Sequence, residues 1–222
     1  MPPKPRFTRE EIVAAAFEIV RRDGESALTA REVGRQLGAS SSPIFTVFRD
    51  MDELRCAVWR MAKERFDGYM AVAVGYSPEY KKRGMQWVRF AQEEPRLFRM
   101  LFMQQTGGRA DFDGMMEHIP FGKASDIAII TRDYRADREQ AERLFRHMWI
   151  YTYGLCVLCA TGACAFSEEE VAAQLGGIFH GAILSLGSVS AGDARLMPVE
   201  GTSAEGGEIR RHHPDLSRRS GE

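Results

Sequence analysis

One short signature recurs along this 222-residue chain: Ser, Thr or Asp, followed three residues later by Glu or Gln. Thr8 with Glu11, Thr29 with Glu32, Asp50 with Glu53, Asp137 with Gln140 and Ser167 with Glu170 all carry it. Each is a capping box, in which the first side chain accepts from the N–H three residues on and the second reaches back to the cap's own N–H. Ser77 before Pro78 marks a further start, with proline at the first helical position, where its missing N–H costs little. Each cap contributes about 1 kcal/mol. These starts, without any clear alternating strand pattern, predict an all-α protein.

Apolar spacing supplies the faces. Ile12, Ala15, Ala16, Ile19 and Val20 share one side of a helix that Gly24 ends, Val33 and Leu37 make a shorter face, and Ile44, Val47 and Phe48 a third. Asp50 opens a long helix through Leu54, Val58, Met61 and Ala62 to about Val74. Beyond it, helices are predicted over 78–94, 95–103, 124–134, 138–161 and 168–189. The 107–122 region, with Gly107, Gly108, Gly114 and Pro120, is predicted as a loop long enough to be a pocket lid or mobile segment. From Ala191 the chain turns to Gly, Ser, Glu and Arg without apolar periodicity, which predicts a disordered tail.

The stretch GASSSPIF, 38–45, joins the second and third faces. A short helix starting at Thr29 and ending at Gly38, a tight turn, and a second short helix from about Ser40 make a helix-turn-helix. Gly38 can take the left-handed conformation that reverses the chain, Ser40 can cap the next helix, and Pro43 sits in its first turn. Small polar side chains at such a helix start admit close approach to a DNA major groove, and the exposed amides favour phosphate. Ser41, Ser42, Thr46 and Arg49 form the predicted reading face, within a wider contact set that adds Thr29, Arg31, Ser40, Pro43 and Phe45.

The segment FTREEIVAAAFEIVRRDGESALTAREVGRQLGASSSPIFTVFRDMDELRCAVW resembles the DNA-binding domain of TetR/AcrR-family transcriptional regulators. The resemblance implies that Thr29 contacts a phosphate and that the third helix reads the groove. The remainder is similar to the ligand-binding and dimerisation region of that family, most closely to a subgroup with a Trp-His-Gly signature, through HMWIYTYG and FSEEEV. Three positions depart from the family pattern: Phe45 stands where tyrosine is usual, Val47 where histidine is frequent and Met51 where lysine is common. Phe45 and Met51 cannot make the phosphate contacts of those residues. Residues 1–54 carry eight basic against nine acidic side chains, so DNA affinity is expected either to be weak or to depend on Lys4, Arg6, Arg9 and Arg49. Tyr153 replaces the signature histidine, so the subgroup's pocket chemistry does not transfer.

The whole chain is near neutral, with 30 basic and 31 acidic residues, so a nucleic-acid partner must be held by a local surface. MPPKPRFTREE lacks the apolar run of a signal peptide, and four cysteines are too few for a disulfide scaffold, which together predict a cytoplasmic protein with free thiols. The uncharged stretch 148–167 is broken by Thr152, Gly154, Thr161 and Gly162, and fits a buried helix better than a membrane span. Cys156, Cys159 and Cys164 lack a second Cys/His pair nearby, so no metal is predicted, and buried thiols act as small hydrophobes. The five histidines pair with no nucleophile and no phosphate loop precedes a helix, so neither catalysis nor a cofactor is expected.

The Met- and aromatic-rich middle can enclose a small apolar effector, with Trp87, Phe90, Phe102, Met103, Met116, His147 and Tyr151 as predicted lining. The last two long helices are too apolar all round to face water, which predicts a homodimer built on Gly154, Cys156, Ala160, Gly177, Gly181 and Leu184. The expected organisation is a helix-turn-helix domain over 1–50, a helical effector-binding and dimerisation domain over 51–190, and a tail over 191–222. The expected function is a ligand-responsive transcriptional regulator of repressor type that binds operator DNA as a dimer. The alternative is a helical interaction protein that keeps the helix-turn-helix but has lost DNA affinity.

Overall fold

Thr8 accepts from the Glu11 amide at 3.2 Å while the Glu11 carboxylate accepts from the Thr8 amide at 2.8 Å, and this reciprocal cap starts α1, Arg9–Asp23. In this computed structural model, residues 6–75, 77–103, 111–119 and 122–188 are described. They contain helices and turns and no strand. A 3₁₀ turn, Glu25–Ala27, leads to α2, Ala30–Gln36, and a second 3₁₀ turn, Ser42–Thr46, precedes α3, Met51–Ala71. Then come α4, Glu79–Glu93; α5, Pro95–Phe102; α6, Phe112–His118; α7, Lys123–Tyr134; α8, Arg138–Ala160; and α9, Glu168–Ser188.

The predicted boxes at Asp137 with Gln140 and at Ser167 with Glu170 are formed in both directions. Those at Thr29 and Asp50 are formed in one. Thr29 and Asp50 accept from the amides of Glu32 and Glu53, but the Glu32 carboxylate turns to Arg35 and the Glu53 carboxylate to the Arg49 amide and Arg9. At Glu32 a charged partner outcompetes the backbone amide, whereas Glu53 takes the amide one residue before the cap together with the Arg9 guanidinium. Pro78 holds the N-cap position of α4 and not the first helical one, and Asp133 accepts from the Glu79 amide at 3.2 Å.

One apolar core runs through the described residues from Ile12 to Leu175. At the N-terminal end, Ile12, Ile19 and Val20 of α1 close on Leu28, Val33, Ile44, Phe48, Leu54 and Val58, all fully buried or nearly so. Each contributes about 1.5–3 kcal/mol as an upper estimate. Further on, Phe90 of α4 and Phe102 of α5 stand edge-on to Phe66 of α3, Trp87 of α4 and Phe98 of α5 lie tilted against Tyr153 of α8, Trp149 of α8 stacks on that same ring, and Phe145 of α8 is buried in the same core. Arg99 of α5 donates twice to the Ala160 carbonyl, at 2.9 and 2.5 Å, and so caps the C-terminus of α8.

The predicted loop over 107–122 is corrected in part, since α6 lies inside it. Asp111 accepts from the Gly114 amide at 2.8 Å, Phe112 stands edge-on to Trp149 with centroids 5.5 Å apart, and Met116 is buried. Asp113 adds bonds to Lys123 and Arg146. Anchored on one face, the segment tolerates Gly114 in its middle. Gly107, Gly108 and Pro120, with Lys4 and the predicted tail over 191–222, lie outside the described residues.

Candidate functional site

Gly34, a position given no role in the sequence reading, closes the helix-turn-helix. A Cβ there would meet the carbonyl carbon and oxygen of Ser40 at 2.8 Å, closer than packed atoms come. The chain then reverses through Gly38 at φ +65°, the left-handed conformation predicted for it, with the Ala39 amide donating to the Gly34 carbonyl at 2.9 Å. The next segment differs from its prediction. It is a five-residue 3₁₀ turn and not an α-helix from Ser40, and Ser40 makes no cap: the N-cap position falls on Ser41, without a side-chain bond. Pro43 withholds an amide and the fully buried Ile44 sits in the core beside α2, and the short segment closes by i to i+3 bonds, Ile44 to Ser41 and Val47 to Ile44.

The segment turns polar atoms outward. Ser40, Ser42, Phe45, Thr46 and Arg49 are exposed, Ser41 and Pro43 half-buried, and Thr29 and Arg31 exposed at the start of α2. The Thr46 hydroxyl donates to the Pro43 carbonyl at 2.7 Å, which leaves its oxygen free to accept. Phe45 is 49% exposed, while Met51 packs against the core. Most arginines nearby are already paired: Arg49 with Asp50 at 2.8 Å, Arg9 with Glu53 at 2.9 Å, Arg22 with Asp23 at 2.6 Å, and Arg35 with Glu32. The Arg22 and Arg35 guanidiniums hold Asp23 and Glu32 below the usual carboxylate range. The Glu53 amide and then Arg49 do the same for Asp50. Arg31 makes no ion pair among the described residues.

A second feature is a partly open cavity of about 190 Å³ between α4, α7, α8 and α9. Its walls are ring faces and apolar side chains: Tyr80 and Trp87 of α4, Tyr134 of α7, Met148 and Trp149 of α8, and Leu175 and Phe179 of α9. Tyr134 and Phe179 lie 4.5 Å apart, and Trp87 and Trp149 5.5 Å. The polar members are Thr152, Lys81 and a buried ion pair in which Arg83 Nε meets Asp126 Oδ1 at 2.6 Å. Burial pushes the Asp126 carboxyl up to about 6 against the opposing pull of Arg83. Burial likewise pushes the Tyr134 hydroxyl up to about 12 and that of Tyr80 well above its usual value. Trp149 is 4% exposed, and its Nε1 has no hydrogen-bond partner among the described residues.

No protein-family model matches the sequence, and no curated protein matches it either. Solved structures do match. A TetR-like transcriptional regulator from Rhodococcus sp. RHA1 superposes with a TM-score of 0.60 at 14% identity, over 81% of this chain and 99% of that one. A member of the TetR family from Streptomyces coelicolor A3 gives 0.52 at 18% identity, over 79% and 98%. The fold is that of TetR-family regulators. A further structure with the same match, the multidrug binding protein EbrR complexed with imidazole, gives a TM-score of 0.50 at 19% identity over 77% of this chain and 88% of that one.

Within this TetR fold, the predicted pocket set and the cavity meet at one residue, Trp87. Phe90 and Phe102 are buried in the core beside Phe66, Met103 and Met116 pack against that core, His147 is exposed, and the Tyr151 hydroxyl donates to Gln174. Tyr153 stacks on Trp149 at 4.9 Å and donates to the Phe102 carbonyl at 3.0 Å. The sequence reading missed Tyr80, Gly84, Asp126, Tyr134, Thr152, Leu175 and Phe179. One signal was present: Tyr80, Arg83, Gly84 and Trp87 share a helical face, and a glycine between two large rings on one face leaves a hole.

The predicted interface set also divides. Cys156 is fully buried and Ala160 nearly so, both inside this chain's own core. Gly154, Gly177 and Gly181 are exposed, a Cβ at any of them would meet nothing within 4 Å, and Leu184 is 61% exposed. Ile150, Leu158 and Ile178 are large apolar side chains that also face outward from α8 and α9. No helix among the described residues is long and apolar enough to cross a membrane. Nor do three His, Cys, Asp or Glu side chains among them converge to hold a metal ion. Burial pushes the Cys156 and Cys159 thiols up, away from the reactive thiolate form.

Proposed function

We propose that this protein is a ligand-responsive transcriptional regulator of the cytoplasm that binds operator DNA as a homodimer and represses until a small apolar effector fills the cavity. Residues 1–50 form the reading domain, with Ser41, Ser42, Phe45 and Thr46 against base edges and Thr29, Arg31 and Arg49 against phosphates. Residues 51–190 hold the effector and the dimer. The observation that carries this reading is the turn closed over Gly34, which presents Ser42, Phe45 and Thr46 outward on a segment pinned by Ile44. Likeness to TetR-fold regulators supports it. Phe45 replaces a hydrogen bond with apolar contact, suited to a thymine methyl or a sugar.

One observation favours a second reading. Arg9, Arg22, Arg35 and Arg49 all have carboxylate partners, so phosphate must compete for them, and a head with this pattern could serve as a protein interaction surface. Selection from random duplexes at low salt separates the two. The regulator reading expects a selected sequence whose affinity falls steeply with salt. Thr46→Ala or Ser41→Ala should cost about 1–3 kcal/mol at one base pair, and Thr29→Ala should weaken all sequences alike. No binding to any duplex at low salt would reject the regulator reading in favour of the second.

A further inference from the structure

Two glycines shape the seam between α4 and α9. A Cβ on Gly84 of α4 would meet Leu175 Cδ1 of α9 at 3.2 Å and Thr152 Oγ1 of α8 at 3.9 Å. A Cβ on Gly176 of α9 would meet Lys81 Nζ of α4 at 3.9 Å. All five residues line the cavity between α4, α7, α8 and α9, so the first glycine leaves space inside it and the second admits an ammonium to its wall. Of the lining residues only Pro78 and Lys81 are exposed, which puts the mouth at the start of α4, beside that ammonium.

Charge decides the sign of the guest. The lining holds two cations, Lys81 and Arg83, against one carboxylate, Asp126. Arg83 meets Asp126 at 2.6 Å, and that pair cancels within the wall. Lys81 makes no hydrogen bond or ion pair among the described residues, so its charge is left uncompensated at the mouth. An organic anion is drawn to such a site and an organic cation repelled. A carboxylate deep among the rings would lose its hydration without gaining a partner, so its place is at the mouth, where Lys81 and water both reach it. One lysine balances one charge, which favours a monoanion over a dianionic phosphate.

Size and shape describe the rest of the guest. An apolar cavity of about 150 Å³ holds a benzene ring, so the 190 Å³ here takes a ring and a short arm, about eight non-hydrogen atoms, with the anionic head outside that volume. Trp87, Trp149, Tyr134 and Phe179 supply ring faces and edges for an aromatic body.

We propose that this cavity binds an aromatic monocarboxylate, with its ring among those four side chains and its carboxylate against the Lys81 ammonium at the mouth. The inference rests on the effector reading only in calling the guest an effector. Binding itself is a property of the protein without DNA.

The test is calorimetric titration of the full chain with three probes of one skeleton: 3-phenylpropanoate, which is an anion; 3-phenylpropanamide, which is neutral; and 3-phenylpropylammonium, which is a cation. We expect affinity to fall in that order, with the anion bound roughly tenfold or more above the cation, since attraction and repulsion at Lys81 add. Added salt should weaken the anion and leave the amide unchanged. Lys81→Met keeps the stem and removes the charge, and should reduce the anion to the affinity of the amide. Gly84→Leu should abolish binding of both while circular dichroism still reports a folded helical protein. Equal affinity of the three probes for the wild type, no saturable binding of the anion, or a preference for the cation would overturn the proposal, and none of these requires a variant to fold. Undiminished binding of the anion by Lys81→Met would overturn it as well. No duplex is present, so the two readings fail separately. Binding of the anion without operator binding sinks the regulator alone, and operator binding without the preference for the anion sinks this proposal alone.

Discussion

Arg21 of α1 and Glu94 at the junction of α4 and α5 are joined by a 2.7 Å bond from Nε to Oε2, and Arg65 of α3 holds the other carboxylate oxygen at 3.0 Å. Glu94 is 3% exposed, so a single buried carboxylate ties the first helix and the long third helix to the body of the protein. It also ends α4 and begins α5, with the Phe98 amide donating to its carbonyl. A displacement of α4 is therefore felt at α1 through one side chain. Glu94→Gln keeps the shape and loses the charge, leaving one arginine short of a partner. We expect a loss of about 1–3 kcal/mol, read as a lower urea midpoint at unchanged slope. An unchanged midpoint would mean that the two arginines are equally well served by water.

Asp126 gives a pH dependence of definite sign. Its folded carboxyl is raised to about 6, above the ordinary value of 3.8, so between those two values the folded protein holds a proton that the unfolded chain has released. Stability from this group therefore falls as pH rises from about 4 to 6, and its cost is complete at neutral pH. The scale is at most on the order of 2–3 kcal/mol. Subtracting the stability of Asp126→Asn from that of the wild type at each pH cancels the other carboxylates. We expect the difference to decline across that window, and a flat difference would contradict the raised value.

Gly34 bears on the reading turn. In Gly34→Ala the new methyl would lie 2.8 Å from the Ser40 carbonyl, which is backbone and cannot rotate away, so the turn must open. We expect a destabilisation of about 1–3 kcal/mol. Loss of duplex binding should exceed what that destabilisation accounts for, measured at a temperature where the variant is fully folded. Gly38→Ala acts differently, since its Cβ meets nothing within 4 Å and only the left-handed φ is strained. Its expected cost is smaller, about 1 kcal/mol.

The outward apolar side chains of α8 and α9 carry the dimer proposal. Ile150 and Leu158 are two turns apart on α8, and Ile178 lies on α9 beside the open space at Gly177. Sedimentation at micromolar concentration should show a dimer for the wild type. For Ile150→Glu combined with Ile178→Glu it should show a folded monomer, because two buried carboxylates without counter-ions oppose association. A wild-type monomer would remove the proposal.

The helix boundaries were legible because their causes are local. A cap needs a side chain and an amide three residues away, and Thr8 with Glu11, Asp137 with Gln140 and Ser167 with Glu170 meet that condition wherever the chain goes. At Glu53 half of the box is diverted: one oxygen takes the neighbouring Arg49 amide and the other takes Arg9, a charge brought in from α1 by the fold. The turn at Gly38 was legible for the same local reason. The need for glycine at 34 was not, because the atom it must avoid belongs to Ser40 after the chain has reversed.

By itself, then, the sequence determined where most of the helices start, though not α6 or the 3₁₀ form of the segment 42–46, which faces seek cover, and that a reversal at Gly38 is followed by serines and a threonine. Tertiary structure alone decided how those covered faces are filled. Phe90, Phe102 and Cys156 carry the same apolar signal as Trp87, yet the first three are packed on every side and Trp87 borders a hole. Periodicity reports that a face is buried, whereas a cavity exists only where side chains from α4, α7, α8 and α9 fail to meet. That shortfall in volume is a property of four segments spread over a hundred residues, and no single helix contains it.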